Sequence, residues 1–371
     1  MAVPFVHVQV RGSYRDIGRA VGEAARVQIE AAVEYYRTNF EAIAGMGFAE
    51  ALRRAQEYLA HARRCLPQLV EELEGMAEAS GVPFDDLLVP NCAEELTSPL
   101  HGGVPGGTAS VDGAASAGGA HLCTAVALSV GGRRVVGHNM DWYAVDLDKN
   151  VLFDVTVPDG TRFLTIAGVP YLPMLGMNSH GMANVSNSMY SKGNRIGLPN
   201  VFVRRWSVEA RSIVQAAERA LHPDRACGSN HLLADAAGAI VDIETAVSAW
   251  AELDTRTDGD AAWLAHTNHY IAAAMAPHEG STHEESRRRL RRAEELLAAG
   301  AAAGRDPIEV VAEVLRDHAG APDAICGHPP AGDSPPDTSI TVGSMICDLA
   351  SGRLLACAGP PCENPYRTFG L

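Results

Sequence analysis

Cys123-Thr124-Ala125-Val126-Ala127-Leu128-Ser129-Val130 is an apolar run with the two-residue alternation of a strand, and it follows a segment that cannot pack a core. Over residues 102–120 glycine recurs at Gly102, Gly103, Gly106, Gly107, Gly113, Gly118 and Gly119 with almost no large apolar side chain. That is the composition of an exposed loop open to cleavage. A Cys at a strand start is ordinarily a small buried hydrophobe. If the bond between Leu122 and Cys123 is cut, however, Cys123 carries a thiol beside a free α-amine of pKa about 7.7 to 8.0, which can serve as the thiol's own base.

Outward from this run the period stays at two. Strands are expected at 123–130, 133–138, 151–157 and 161–167, turned at Gly131-Gly132 and at Pro158-Asp159-Gly160. Hairpins at 231–245 and 339–357 turn at Asp235-Ala236-Ala237-Gly238 and Ala350-Ser351-Gly352. Consecutive hairpins imply antiparallel pairing. The first third reads as helical: Ser13 and Asp16 have capping-box spacing, a second helix covers 49–64, and a third runs from Pro67 to about Ala79 before Ser80-Gly81. Ser212 with Gln215 caps another helix reaching about Ala220, and helices return at 284–297 and 307–318, with the Ala/Gly run between them read as a surface loop. Strand groups with helices between and outside them predict an α+β fold of two packed sheets covered on both sides.

Nearly half of the 371 residues are apolar and the formal charge is −15. With only one basic run, at 287–292, read as the solvated face of a helix, nucleic acid is excluded as the expected partner. No stretch reaches the roughly 20 apolar residues of a membrane span and the start at Met1 has no leader pattern, so a soluble, cytoplasmic protein is expected. The eight cysteines form no Cys-x-x-Cys pair, which fits scattered thiols in a reducing compartment.

Cys123, then Asn139-Met140-Asp141, then Thr267-Asn268-His269 resemble in order the Cys, Asn-x-Asp and Thr-Asn-His segments of the acyl-coenzyme A:6-aminopenicillanic acid acyltransferase family of self-processing N-terminal-nucleophile enzymes. Residues 12–18, 73–77, 91–95, 176–184 and 344–348 extend the resemblance almost end to end. It implies a single domain forming a four-layer αββα sandwich of two antiparallel sheets. It also implies that a mainly helical segment 1–122 and a catalytic segment 123–371 stay associated after cleavage between Leu122 and Cys123. It further implies a small N-acyl amide or acyl-thioester substrate, acyl-CoA among the candidates, and no cofactor.

Cys123 is then the expected nucleophile, since a thiolate both forms and releases an acyl group at neutral pH. Asp141, otherwise a turn-capping residue, is expected to orient the freed amine. Asn268 is expected to donate to the oxyanion, a contribution of roughly 2.7 to 4 kcal/mol for such a donor. His138, Asn139, Thr338 and Ser339 are expected to contact substrate. There are three departures from relatives. His138 stands where the bile-salt hydrolase and penicillin V acylase branch carries Arg, Thr338-Ser339 lacks the Arg of the fungal acyltransferase, and Leu122 replaces the usual Gly. The second weighs against 6-aminopenicillanic acid as substrate. Two rivals are a non-catalytic protein with Cys123 kept internal and a zinc hydrolase using His266 and His269, although no third ligand stands at a recognisable interval, so no metal is expected.

Overall fold

The computed structural model describes residues 5–98, 123–280, 284–329 and 339–371. Leu122 and Thr338 lie outside the described residues. The chain opens with β1 (Val6–Arg11) and continues through α1 (Tyr14–Ala24), α2 (Arg26–Ala44), α3 (Phe48–Cys65), α4 (Pro67–Ser80), α5 (Phe84–Asn91) and α6 (Ala93–Leu96). Then come β2 (Thr124–Val130), β3 (Arg133–Tyr143), β4 (Asn150–Thr156), β5 (Arg162–Gly168), β6 (Gly176–Asn178) and β7 (Met182–Val185). Helices α7 (Asn200–Ser207) and α8 (Ile213–Ala220) precede β8 (Ser229–Asp235), β9 (Ile240–Thr245), β10 (Trp250–Leu253), β11 (Arg256–Asp258) and β12 (Ala261–His266). The chain closes with α9 (Glu284–Ala302), α10 (Pro307–Leu315), β13 (Ser339–Asp348), β14 (Arg353–Ala358) and β15 (Arg367–Gly370).

The strands form two sheets, ordered β1-β4-β5-β6-β7-β8-β9-β10 and β11-β12-β2-β3-β13-β14-β15. Among the described residues every pairing between these strands is antiparallel except that of the edge strand β1, which runs parallel to β4 from Val6↔Val151 to Arg11↔Thr156. The alternation in Val6-His7-Val8-Gln9-Val10 gives this strand its period of two, in a region read from sequence as the start of a helical layer.

Alternate residues of each sheet face the other. Ala125, Ala127 and Val136 of one sheet share a buried cluster with Leu152, Ile166 and Leu232 of the other. The outer face of the first sheet is covered by α1 to α5, whose Ile17, Val33 and Leu69 pack with Val151, Phe153 and Phe163. On the far side, Val126, Leu128 and Val135 pack against Leu290, Ala293, Val311 and Leu315 of α9 and α10. The result is four layers, αββα.

Local signals produce the helices as read. Ser13 Oγ accepts from the Asp16 N–H and the Asp16 carboxylate accepts from the Ser13 N–H, closing a capping box on α1. The run after Leu297 is a correction: it is not a loop, because Ala301 is buried against α10 and α9 continues through Ala302. Helices α1 and α4 cross closely through glycines, since a Cβ on Gly18 would lie 1.8 Å from the Glu72 carbonyl oxygen and one on Gly75 2.1 Å from the Arg15 carbonyl oxygen.

Candidate active site

The β2–β3 hairpin pairs Thr124 with Asn139, which sets Cys123 beside the end of β3, where Met140 and Asp141 follow. On its other edge β3 pairs Asp141 with Thr341, next to a register shift in β13 between Thr341 and Gly343. β12 pairs His266 with Ala125. The chain leaving β12 as Thr267-Asn268 therefore emerges next to Cys123. Three separate strands thus bring Cys123, Asp141 and Asn268 to one end of the sheet.

A fourth element completes the arrangement. The 287–292 run, expected as a solvated helix face, divides: Arg288 and Arg291 are exposed, whereas Arg289 is 1% exposed. Its Nη1 donates to the Cys123 carbonyl at 2.8 Å and to Thr124 Oγ1 at 3.1 Å, and its Nη2 donates to Asn268 Oδ1 at 3.1 Å. Asn268 is further fixed by Ser286 Oγ, which accepts its backbone N–H at 2.8 Å, and by donation from Nδ2 to the Ser188 carbonyl at 3.1 Å. Nδ2 has a second N–H beyond that bond.

Cys123, His138 and Asp141 line one cavity, walled mainly by apolar side chains including Ala167, Tyr171, Leu175, Val201 and Val342. In the intact chain burial and then the Asp141 charge push the Cys123 thiol up to about 12, against the Asp141 backbone N–H, Arg204 and Arg289. Burial likewise raises Asp141 to about 7, against the Thr341 hydroxyl and Arg289. Thr341 Oγ1 donates to Asp141 Oδ1 at 2.5 Å, and Oδ2 has no hydrogen-bond partner among the described residues. Burial lowers His138 to about 4, so the ring is neutral; Nε2 is 3.1 Å from the Ser186 carbonyl and donates to it, leaving Nδ1 as an acceptor without a partner among the described residues.

Asn268 is not among the residues lining this cavity, and the remaining expected contacts lie elsewhere as well. Asn139 does not line the cavity; its Nδ2 donates to the carbonyls of Leu315 and Ile325, both at 2.9 Å, and its Oδ1 accepts from Ser344 Oγ, so it ties β3 to the α10 side. Ser339 opens β13 opposite Tyr143 and is also outside the cavity lining. His266 bonds to Glu244 Oε1 at 2.9 Å; burial opposes its charge, but Asp242 and Glu244 outweigh it and raise the ring to about 9. An imidazolium has no lone pair for a metal, and His269 Nδ1 is engaged with Ser286 Oγ at 2.7 Å.

Glu94 and Arg204, which no sequence motif marks, also line the cavity and pair with each other, Arg204 Nη2 lying 3.1 Å from Glu94 Oε2. Arg204 also donates to Ser186 Oγ and Ser229 Oγ, both at 3.0 Å.

The αββα sandwich thus carries an apolar cavity at the head of β2. The chain belongs to the acyl-coenzyme A:6-aminopenicillanic acid acyl-transferase family, whose model matches residues 129–361. It is accordingly an enzyme of amide hydrolysis or acyl transfer. The match includes Asp141, Asn268 and Arg289 and begins after Cys123. Among solved structures, penicillin V acylase from Agrobacterium tumefaciens is similar at 16% identity over 64% of this chain and 82% of that one, with a TM-score of 0.42. A variant of the conjugated bile acid hydrolase from Clostridium perfringens is similar at 12% identity over 67% and 97%, also with a TM-score of 0.42. No curated protein matches significantly. Among the described residues, no helix is long and apolar enough to cross a membrane.

Proposed function

We propose that the chain is a self-processing cysteine enzyme that takes the apolar acyl group of a small N-acyl amide or acyl thioester, acyl-CoA included, onto Cys123 and passes it to water or an amine. The observation that carries this reading is the convergence of Cys123 and Asp141 on one apolar cavity, with Arg289 joining the Cys123 carbonyl to Asn268.

In the precursor the Cys123 thiol attacks the Leu122 carbonyl, the acyl bond moves from nitrogen to sulfur, and water hydrolyses that thioester. Segment 1–122 keeps the new carboxylate, and Cys123 keeps its thiol and a free amine. The two segments remain one domain, held by β1 on β4 and by the core that α1 to α5 share with the first sheet.

In the processed enzyme the amine takes the thiol proton and the thiolate attacks the substrate carbonyl. The developing oxyanion accepts from Asn268 Nδ2, oriented by Arg289 and Ser188. As the tetrahedral intermediate collapses, the leaving amine or thiol receives the proton held by the α-amine and the acyl group stays on sulfur. Water or an acceptor amine then attacks, and the thiol is regenerated. Asp141 holds the α-ammonium, and a cation beside it draws its pKa below the value of the intact chain. Tyr171, Leu175 and Val342 supply an apolar berth for the acyl chain.

Intact-mass spectrometry of the protein and of Cys123→Ala tests this. Fragments 1–122 and 123–371 from the first, with an uncut second, are expected, followed by acyl adducts on 123–371 with an activated acyl donor. Uncut chains in both, with no adduct, would leave a binding protein with an internal Cys123.

A further inference from the structure

His318, Cys326 and His328 lie on the loop after α10 and Cys362 follows β14, so two segments separated by β13 and β14 meet at one surface point. His318 Nε2 is 3.2 Å from His328 Nε2, and Cys326 Sγ is 3.6 Å from Cys362 Sγ. His328 Nε2 is 3.7 Å from Cys326 Sγ and 3.2 Å from Cys362 Sγ. All four atoms lie within 4.8 Å of one another.

A tetrahedral zinc ion with bonds of about 2.3 Å to sulfur and about 2.05 Å to nitrogen requires ligand separations of about 3.8 Å for S–S, 3.6 Å for S–N and 3.35 Å for N–N. The four separations above match these to within about 0.4 Å. Hydrogen bonding alone is a poor account of the cluster, because it would need donors and acceptors to alternate among two ring nitrogens and two sulfurs that all point inward. A cation satisfies the four lone pairs together. Glu363 Oε1 lies 3.7 Å from His328 Nδ1, on the side away from the cluster, within ion-pair reach though beyond hydrogen-bond distance.

We propose that His318, Cys326, His328 and Cys362 form a Cys2His2 structural zinc site. On binding, the two thiols release their protons to solvent and the two thiolates balance the ion's charge. Four protein ligands leave no open position, which marks a structural rather than a catalytic centre. The site has a particular place in the fold. Gly327, between two of the ligands, donates its N–H to Thr341 Oγ1 at 2.9 Å, and its carbonyl accepts the Thr341 N–H at 3.1 Å. That same hydroxyl donates to Asp141. The metal therefore pins the loop that backs the Asp141 carboxylate.

The test is elemental analysis of the full-length protein, of Cys123→Ala, and of two variants at exposed ligands, Cys362→Ser and His318→Asn. One zinc per chain is expected in the first two, and zinc lost to a chelator from the last two, with affinity reduced by more than about 100-fold, beyond the loss for an outer-shell partner. Cobalt should give the visible absorption and thiolate charge-transfer band of a tetrahedral site in the first two proteins. The proposal is overturned if reduced protein takes up neither zinc nor cobalt, if both ligand variants hold zinc as tightly as the parent, or if Cys123→Ala alone loses it. A Cys326–Cys362 disulfide whose reduction restores no metal uptake would also overturn it. None of these readouts depends on self-cleavage or turnover.

Discussion

Arg289 Nη1 lies 2.8 Å from the carbonyl oxygen of Cys123 while its Nη2 lies 3.1 Å from Oδ1 of Asn268, so one buried cation spans the backbone of the expected nucleophile and the expected oxyanion donor. Burial alone works against this charge, and Asp141 and Cys123 are among the groups that support it.

Replacing it by Arg289→Gln removes charge-assisted bonds worth about 1.5 to 3 kcal/mol each. Self-cleavage and acyl turnover should both slow by roughly 10 to 100-fold or more, the rate equivalent of one such bond at 1.36 kcal/mol per decade. Time courses of fragment formation and of acyl release would show it. Rates equal to those of the parent protein would remove Arg289 from the reaction.

Asp141 gives a pH signature. Its folded pKa of about 7 is above the unfolded value near 3.9, so its contribution to stability is fully present below pH 4 and is lost as pH rises through 7. In the uncut Cys123→Ala background, Asp141→Asn should flatten the fall in unfolding free energy between about pH 4 and pH 7. Denaturant titrations at several pH values measure the difference. An unchanged slope would mean that the carboxylate is not held in its buried, largely unpaired state.

The cavity predicts acyl selectivity. Ala167 is on its apolar wall, and Ala167→Phe would shorten the space available. Long acyl donors should lose about 10 to 200-fold in kcat/KM, in line with what a methylene or two is worth in such a pocket, while the shortest donors change little. An acyl-length series read by mass or release assay decides it; uniform loss across the series would mean general disruption.

Stability is tied to the helix crossing. Gly18→Ala places a methyl carbon 1.8 Å from the Glu72 carbonyl, a backbone atom that can move only if α1 and α4 separate. A loss of about 1 to 3 kcal/mol or more is expected in denaturant unfolding of Cys123→Ala. Neutral behaviour would mean that the helices cross less closely.

Much of this arrangement was legible in the sequence because it is local. The alternation after Cys123, the Gly131-Gly132 turn and the Ser13–Asp16 cap each act within a few residues, and each appears where read. Cys123 and Asp141 line one cavity because the β2–β3 hairpin sets Cys123 beside the end of β3. Other features depend on partners distant in the chain. Arg289 was read as solvated with its Arg neighbours, although Ser286, Leu290, Ala293 and Leu297 are buried at helical spacing and Arg289 falls on their stripe. That periodicity was the available signal. Asn139 looks like a pocket residue beside His138, but its neighbours on α10 and β13 decide which way it faces, and no local pattern encodes them. The His318, Cys326, His328 and Cys362 cluster has ligand spacings too irregular for a motif.

The parallel strand β1 has a further consequence for a chain cut ahead of Cys123. Six residues of one product would be zipped to β4 of the other, and the helices behind them would complete a core that neither piece has alone. Assembly that was a unimolecular event for the precursor becomes a second-order encounter between two polypeptides once it is denatured. Recovery after heating should then fall on dilution for the cut protein and not for its uncut counterpart, so maturation would exchange reversible folding for persistence governed by the rate of opening.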